Sequence, residues 1–252
     1  MSGHSKWSTI KRQKGAADAK RGQLFTKLGR EITIAAREGG GDPENNFRLR
    51  LVMDKAKAAN MPKENIERAI KRGTRELKGE AEFEINYEGY GPNGVAVLVQ
   101  VLTDNRNRAA AEVRSTFTRH GGSLGETGCV AWLFEPKGYI AIAIEEDQDP
   151  DEVAMLAIDA GADDVVPSNE MVEVYTKVAD FQAVREALQE HGLEFDDQEP
   201  IWMLPKSLVQ LAEKSTLQTM NLIDALEELD DVTRVFTNLD ISDEILEKYQ
   251  AA

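Results

Sequence analysis

Residues 139–205 read YIAIAIEEDQDPDEVAMLAIDAGADDVVPSNEMVEVYTKVADFQAVREALQEHGLEFDDQEPIWMLP, and the order of elements within this stretch decides the fold. Tyr139–Ile144 is a short apolar run of strand type, and Asp151–Ala160 carries its apolar residues at helical spacing. Val165–Pro167 and Met171–Thr176 read as two further strands, Phe181–His191 as a second helix and Ile201–Leu204 as a last strand. The order strand, helix, strand, strand, helix, strand is that of a ferredoxin-like unit.

On the N-terminal side of this unit, Phe83–Tyr87 and Val95–Thr103 are β-rich runs joined by the turn GYGPNG, which predicts a hairpin. Asn105 caps a helix running to about His120, with Val113 and Phe117 inward, and Gly121-Gly122 closes it. Val130–Phe134 reads as another strand. On the C-terminal side, a helix carries Leu222, Leu226 and Leu229 at i, i+4, i+7, and Val232–Thr237 follows as a strand. That strand needs a partner, and the ferredoxin-like unit before it is already complete. Residues 206–240 are therefore expected to return to the sheet begun at 83–134.

The N-terminal third has no strands. Residues 1–15 are polar and aperiodic, a tail. Leu24, Leu28 and Ile32, flanked by Phe25 and Ala35, form one face of a helix from Ala16 to Glu38 that Gly39-Gly40-Gly41 stops. Asp42 reads as the cap of a second helix with Pro43 at its first position, followed by Leu49, Val52, Met53 and Ala56. A third helix opens at Pro62, packs Ile66, Ala69 and Ile70, and ends at Gly73; Gly73–Glu82 is a charged linker. The expected architecture is α+β in three domains. Residues 1–78 form a basic three-helix bundle with a tail, 79–135 plus 206–240 a discontinuous middle α/β domain, 136–205 the ferredoxin-like domain, and 241–252 a C-terminal tail.

Charge divides along the same line. Residues 1–78 hold 19 Lys and Arg against 9 Asp and Glu, whereas residues 79–252 hold 11 against 36, so the overall net of −15 conceals a basic module joined to an acidic one. A basic module attracts phosphate backbones, and an acidic body repels them. Lys6, Lys11, Arg12, Lys14, Lys20, Arg21, Lys27 and Arg30 precede Glu31 with Asp18 as the single acid among them. Trp7 sits in this run, where it can stack on a base. A solvated basic face is the plain alternative, but eight cations against one acid inside an acidic protein point to phosphate binding. A second basic cluster, Arg106, Arg108, Arg114 and Arg119 with Asn105 and Asn107, lies in the helix after the hairpin. It has two readings, contact with nucleic acid or pairing with local carboxylates. Residues 138–205 carry 18 acids against Lys177 and Arg185, a surface that would face a basic protein or keep the chain dissolved.

Other chemistries find no footing. GYGPNG matches the GxGxxG string literally, but a strand follows it where the dinucleotide fingerprint requires a helix. No glycine run leads into the Lys-Ser/Thr of a P-loop. His4, His120 and His191 are scattered away from each other and from Cys129, so no metal is expected. Cys129 is the single cysteine and reads as a small buried residue; with no disulfide possible, it fits a reducing cytosol. No catalytic constellation and no cofactor are expected. The longest apolar runs, Cys129–Phe134 and Tyr139–Ile144, are too short to span a bilayer, and the basic start has no apolar stretch behind it. A cytoplasmic chain is expected, with no membrane partner and a monomer as the default state.

Long strings identify a family. HSKW at 4–7, DAKRGQLFTKLGREI at 18–32, GGGDPENN at 39–46 and NMPKENIERAIKRG at 60–73 resemble the YebC family, as do YEGYGPNGVAVLVQVLTDNRNR at 87–108, VRSTFTRHGGSLGETGCVAWLFEPKG at 113–138 and VYTKVADF at 174–181. The resemblance covers nearly the whole chain in order, departing at Ala109, where Thr is usual, and Cys129, where Ser is common. Because it begins within the first few residues, no transit peptide is expected. It implies a helical domain followed by two α/β domains around a cleft, and a non-enzymatic role in gene expression. Members have been labelled DNA-binding transcriptional regulators; mitochondrial relatives are translational activators, and bacterial ones are linked to the ribosome.

Two functions follow as expectations. A ribosome-associated translation factor would grip ribosomal RNA through its basic tail and first helix, offer Arg106, Asn107 and Arg108 as a second contact, and turn its acidic domain to basic ribosomal proteins. A transcriptional regulator would place a helix in the major groove of DNA, the second helix with Arg48, Arg50, Lys55 and Lys57 being the best suited. The first is favoured, because a bipolar molecule suits a surface of RNA and basic protein.

Overall fold

A computed structural model describes residues 18–77, 82–145, 147–242, 244–246 and 248. Helix α1 spans Asp18–Gly39, α2 Phe47–Ala58 and α3 Lys63–Gly73. Leu28, Ile32, Ala35 and Ala36 of α1 meet Leu49, Val52 and Ala56 of α2 and Ile66 and Ala69 of α3 in one apolar cluster. Gly73 does more than end α3. A Cβ there would collide with the Thr33 carbonyl oxygen and the Ala36 side chain, so its lack of a side chain lets α3 cross α1 closely.

The expected Asp42 cap is corrected. Asp42 and Pro43 lie in a turn, where the Asp42 carboxylate accepts the Glu44 N–H at 3.0 Å. The helix is capped four residues later by Asn46, buried, whose side-chain oxygen accepts the Leu49 N–H at 3.0 Å. Its amide also donates to the carbonyls of Ala35 and Gly40, both at 2.8 Å, tying α2 to the end of α1. The choice of Asn46 over Asp42 follows, since only a neutral amide offers donors as well as an acceptor. Asn46→Ala is expected to cost about 2 kcal/mol, the upper end for an N-cap, measurable by urea denaturation.

Strands β1 (Phe83–Tyr90) and β2 (Ala96–Thr103) pair antiparallel from Phe83↔Thr103 to Tyr90↔Ala96. The turn between them places Asn93 and Gly94 at φ 60° and 81°, the left-handed region that Gly and Asn tolerate. This is the expected hairpin, not a nucleotide loop. Helix α4 (Arg106–Arg119) follows, capped by Asn105, and β3 (Ser123–Leu124) returns to the edge of β1. After residue 205 come β8 (Val209–Gln210), α7 (Glu213–Glu227), β9 (Val232–Thr237) and β10 (Leu239–Asp240). β9 pairs with β2, giving the order β3-β1-β2-β9, while β8 and β10 form a short parallel pair.

The second sheet holds β4 (Phe134–Ala143), β5 (Asp164–Pro167), β6 (Met171–Thr176) and β7 (Asp197–Pro205) in the order β5-β6-β4-β7, all antiparallel. Helices α5 (Pro150–Asp159) and α6 (Phe181–Glu190) connect them in the split βαβ manner. Ile140, Ile142, Val172 and Val174 turn one face to Val153, Ala157, Val184 and Leu188 of these helices.

Three features depart from expectation. Val130–Phe134 is not a strand: Ala131–Leu133 is a turn of 3₁₀ helix, and β4 starts only at Phe134. The cause is Glu88 of β1, whose buried carboxylate accepts N–H groups from Gly128, Val130 and Ala131 at 2.7, 2.8 and 2.7 Å, donors that a strand would direct to a neighbour. The segment expected as a C-terminal tail buries Ile241, Ile245 and Leu246 against Val95, Val97, Val113 and Leu222. Finally, α2 is apolar on two sides. Leu49 and Val52 face the bundle, while Leu51 is buried, with Phe47 half-buried, against the core of the second sheet, Phe47 edge-on to Phe181 at 6.0 Å.

The two sheets pack face to face. β2 is buried on both sides: Val97, Val99 and Val101 meet α4 and α7, and Ala96 and Leu98 meet Tyr139, Ala141, Tyr175 and Trp202. Trp202 stacks on Tyr139 at 4.6 Å and stands edge-on to Phe236 of β9 at 5.1 Å. Glu199 of β7 takes ion pairs from both Lys55 of α2 and Arg234 of β9, so one carboxylate joins the bundle to both sheets.

Candidate nucleic-acid interface

Arg30 of the first basic cluster and Arg108 of the second, about seventy residues apart in the chain, meet at one corner of the molecule, where β2 ends. Helix α1 lies against the segment that follows α7. Gln23 donates to the Glu228 carbonyl at 2.5 Å and the Asp230 carboxylate at 2.9 Å, and Lys27 donates to the Glu227 carbonyl at 2.5 Å. A cation over the last carbonyls of a helix is favoured by the helix dipole. Arg30, one turn on, donates to the Asp230 carbonyl at 3.0 Å and pairs with the Asp231 carboxylate at 2.5 Å.

Asp231 is almost wholly buried and is the centre of the corner. From α4, Arg108 reaches it at 2.9 Å and Asp104 at 2.8 Å, and the Thr103 hydroxyl donates to it at 2.7 Å. Burial alone would raise the Asp231 carboxyl; the bonds from Thr103 and Arg108 and the charges of Arg30 and Arg108 bring it below the ordinary value. The hydrogen bonds it donates to Asp231 and Asp104 in turn hold the Arg108 guanidinium charged well beyond its usual range. Nearby, burial raises the Glu82 carboxyl although Arg30, Arg37 and Arg72 stand close enough to oppose it. Arg106 lies over the Phe83 ring at 4.0 Å, and its carbonyl accepts the Tyr87 hydroxyl at 3.2 Å. Five arginines from α1, α3 and α4 thus surround Glu82, Asp104 and Asp231.

The expected site residues separate into three groups. Lys6, Trp7, Lys11, Arg12 and Lys14 lie outside the described residues, as does the side chain of Lys20. Lys27, Arg30 and Arg108 are brought together, but their cations are engaged by carbonyls and carboxylates of the chain itself; here the local-pairing reading of Arg108 wins. Arg21 on α1 and Arg106, Asn107 and Arg114 on α4 present exposed side chains. Asn107 and Arg114 are seven residues apart, hence on one face of the helix about 10 Å along its axis.

Helix α2, expected to suit a DNA groove, has its cations engaged within the chain: Arg50 donates to the Glu44 carbonyl at 3.4 Å and lies 6.0 Å from the Phe47 ring centroid. Arg48 pairs with Glu38 at 2.6 Å and Glu84 at 3.2 Å, Lys55 pairs with Glu199, and Lys57 pairs with Asp54 at 3.2 Å. Both of its flanks are packed. Among the described residues no group of three or more His, Cys, Asp or Glu is placed to hold a metal, and no helix is long and apolar enough to cross a membrane. Cys129 is half-buried beside Glu88, and burial together with that charge pushes its thiol up, away from nucleophilic use. One residue that sequence reasoning passed over is Trp132, exposed on the loop that Glu88 holds; within the apolar string VAWLF nothing distinguishes it from a core residue.

Comparison with known proteins agrees along the whole chain. The family described as TACO1/YebC protein N-terminal domain matches residues 5–76, and the one described as TACO1/YebC second and third domain matches residues 83–239. A probable transcriptional regulatory protein of Geobacter sulfurreducens is 56% identical over 248 residues, 98% of this chain and 99% of that one. Another of the same description from Herpetosiphon aurantiacus is 54% identical over 250 residues, covering 99% and 98%. The crystal structure of a conserved hypothetical protein from Aquifex aeolicus superposes with a TM-score of 0.84 at 49% identity, covering 91% of this chain and 94% of that one.

Proposed function

Since the chain belongs to the TACO1/YebC family, we propose that it is a non-enzymatic regulator of gene expression that binds nucleic acid, acting as a ribosome-associated translation factor. Its relatives are named probable transcriptional regulatory proteins, which supports regulation of gene expression as the role. We read the chain as three domains: the basic bundle, the β3-β1-β2-β9 sheet with α4 and α7, and the acidic ferredoxin-like unit. The observation that carries the binding reading is the convergence of α1 and α4 at the Asp231 corner. There the internally paired arginines fix the geometry, and the exposed Arg106, Asn107 and Arg114 are left on an adjoining helix face for phosphates. The acidic unit then faces basic ribosomal proteins.

The test is co-sedimentation of the full chain with purified ribosomes across a salt series. Arg106→Ala with Arg114→Ala is expected to weaken binding and to reduce the slope of log affinity against log salt by about 1.4–1.8, the release from two phosphates. A wild-type chain that never sediments with ribosomes at moderate salt would sink the reading. The second reading, a DNA-binding regulator at promoters, is supported by the names of the relatives but lacks a free recognition helix in α2. A footprint on a defined promoter that survives competitor DNA would establish it instead.

A further inference from the structure

Trp132 is the most exposed large apolar side chain among the described residues, at 65%. An exposed indole is a large flat contact surface, and Trp is enriched among the residues that carry binding energy. Here the chain holds it firmly. The loop beneath is fixed by the three N–H bonds to the buried Glu88 carboxylate. From the other side, the Lys206 ammonium donates to the Trp132 carbonyl at 2.9 Å, and the Lys206 N–H donates to the Leu133 carbonyl at 2.8 Å. The indole N–H donates to the Cys129 carbonyl at 3.0 Å, and the Tyr90 hydroxyl donates to that same carbonyl at 2.9 Å. The indole N–H and the carbonyl of Trp132 are therefore both satisfied internally. What remains for a partner is the face of the ring.

We infer that Trp132 is a stacking platform for one unpaired nucleobase of an RNA, a contact that rests on the nucleic-acid reading above and extends it to a second place on the molecule. A ring held rigid and stripped of free polar groups favours a planar partner over one that needs a hydrogen bond. The residues beside its contacts in the chain, Thr127, Gly128, Lys206 and Ser207, are exposed and polar or small, with Tyr90 and Leu208 the exposed apolar side chains near it. A protein partner would want a contiguous apolar patch there. Lys206 supplies a cation at the ring's own carbonyl, offsetting Glu126 of the same loop and suiting the phosphate of a stacked nucleotide. Unpaired RNA bases are splayed out and stacked on aromatic side chains in this way, whereas duplex bases are not accessible to such a ring.

The experiment measures equilibrium binding of the full chain to a single-stranded RNA of about ten nucleotides, within the span of one stacking groove, and to an RNA hairpin duplex. Ribosome co-sedimentation is run beside it, for the wild type, Trp132→Ala and Trp132→Phe. The alanine variant is expected to lose roughly 5- to 150-fold on the single strand, with an unchanged salt slope, unchanged duplex binding and an unchanged melting temperature. The phenylalanine variant is expected to stay within a few-fold of wild type. Equal single-strand affinity for wild type and the alanine variant, with the wild type still bound to ribosomes, overturns this inference alone. Loss of ribosome binding in the alanine variant with single-strand affinity intact also overturns it, assigning the ring to a protein. A wild type that binds neither RNA nor ribosomes removes the reading on which the inference rests.

Discussion

Glu88→Ala is expected to lower the free energy of unfolding by about 3–5 kcal/mol, seen as a fall in the urea midpoint at constant slope. The side chain is buried in β1, and its carboxylate accepts three backbone N–H groups from one loop. Removing it leaves three donors in a site they cannot leave together, each costing roughly 1–3 kcal/mol unless water enters. Glu88→Gln keeps the volume and one acceptor oxygen but turns an NH₂ toward donors, and about half the loss is expected. The pH dependence follows from the same geometry. Burial would raise the Glu88 carboxyl, but the three N–H bonds hold it below its ordinary value. Its contribution is thus complete above the unfolded carboxyl's value near ~4.3 and is lost as pH falls through the lower folded one. In Glu88→Gln that part of the acid limb is expected to vanish; an acid limb identical to wild type would show that the carboxylate adds nothing.

Asp231→Ala is the second large effect, expected at about 2–4 kcal/mol. The carboxylate is buried and takes bonds from Arg30, Arg108 and Thr103. Without it, Arg30 loses its carboxylate partner and Arg108 keeps Asp104 alone. Arg108 is more than a third exposed, so water screens its share, and the estimate is set below the full cost of a buried pair. A double-mutant cycle with Arg30→Ala is expected to return a coupling of about 1 kcal/mol or more. A coupling near zero would mean that the contact forms without contributing. Because the folded Asp231 carboxyl is also held low, its contribution fades in the same acid window, below the unfolded value and through the folded one.

The elements legible in the sequence were those whose signal is local. β6 and β9 begin and end where their β-branched runs do, and Asn105 caps α4 because the cap is a bond within four residues. The return of β9 to the first sheet was legible because the ferredoxin-like unit before it is already complete; β2 as its partner was not. What was not legible depends on distant partners. Val130–Phe134 has a strand's composition, and only a carboxylate some forty residues earlier turns it into a helical turn. Arg30 and Arg108 look alike to Arg106 and Arg114 in sequence; Asp231 alone separates those that brace the corner from those that face water. Leu51 shows the same limit, since a helix with one apolar stripe and an extra leucine does not announce a second neighbour.

That extra leucine bears on how the molecule can be taken apart. Leu51 and Phe47 sit on a helix of the N-terminal bundle yet wall the core of the ferredoxin-like sheet, and Lys55 of the same helix neutralises Glu199 within it. Deleting everything before residue 78 would not release two independent pieces. It would open a hole in the remaining sheet and leave Glu199 with Arg234 as its one remaining cation of the two, so any loss of binding would report damage as much as absence of the basic helices. The basic bundle is contiguous in sequence but shares its interior with the rest of the chain, and charge substitutions on the surface, not truncations, are the changes whose consequences can be assigned to one place.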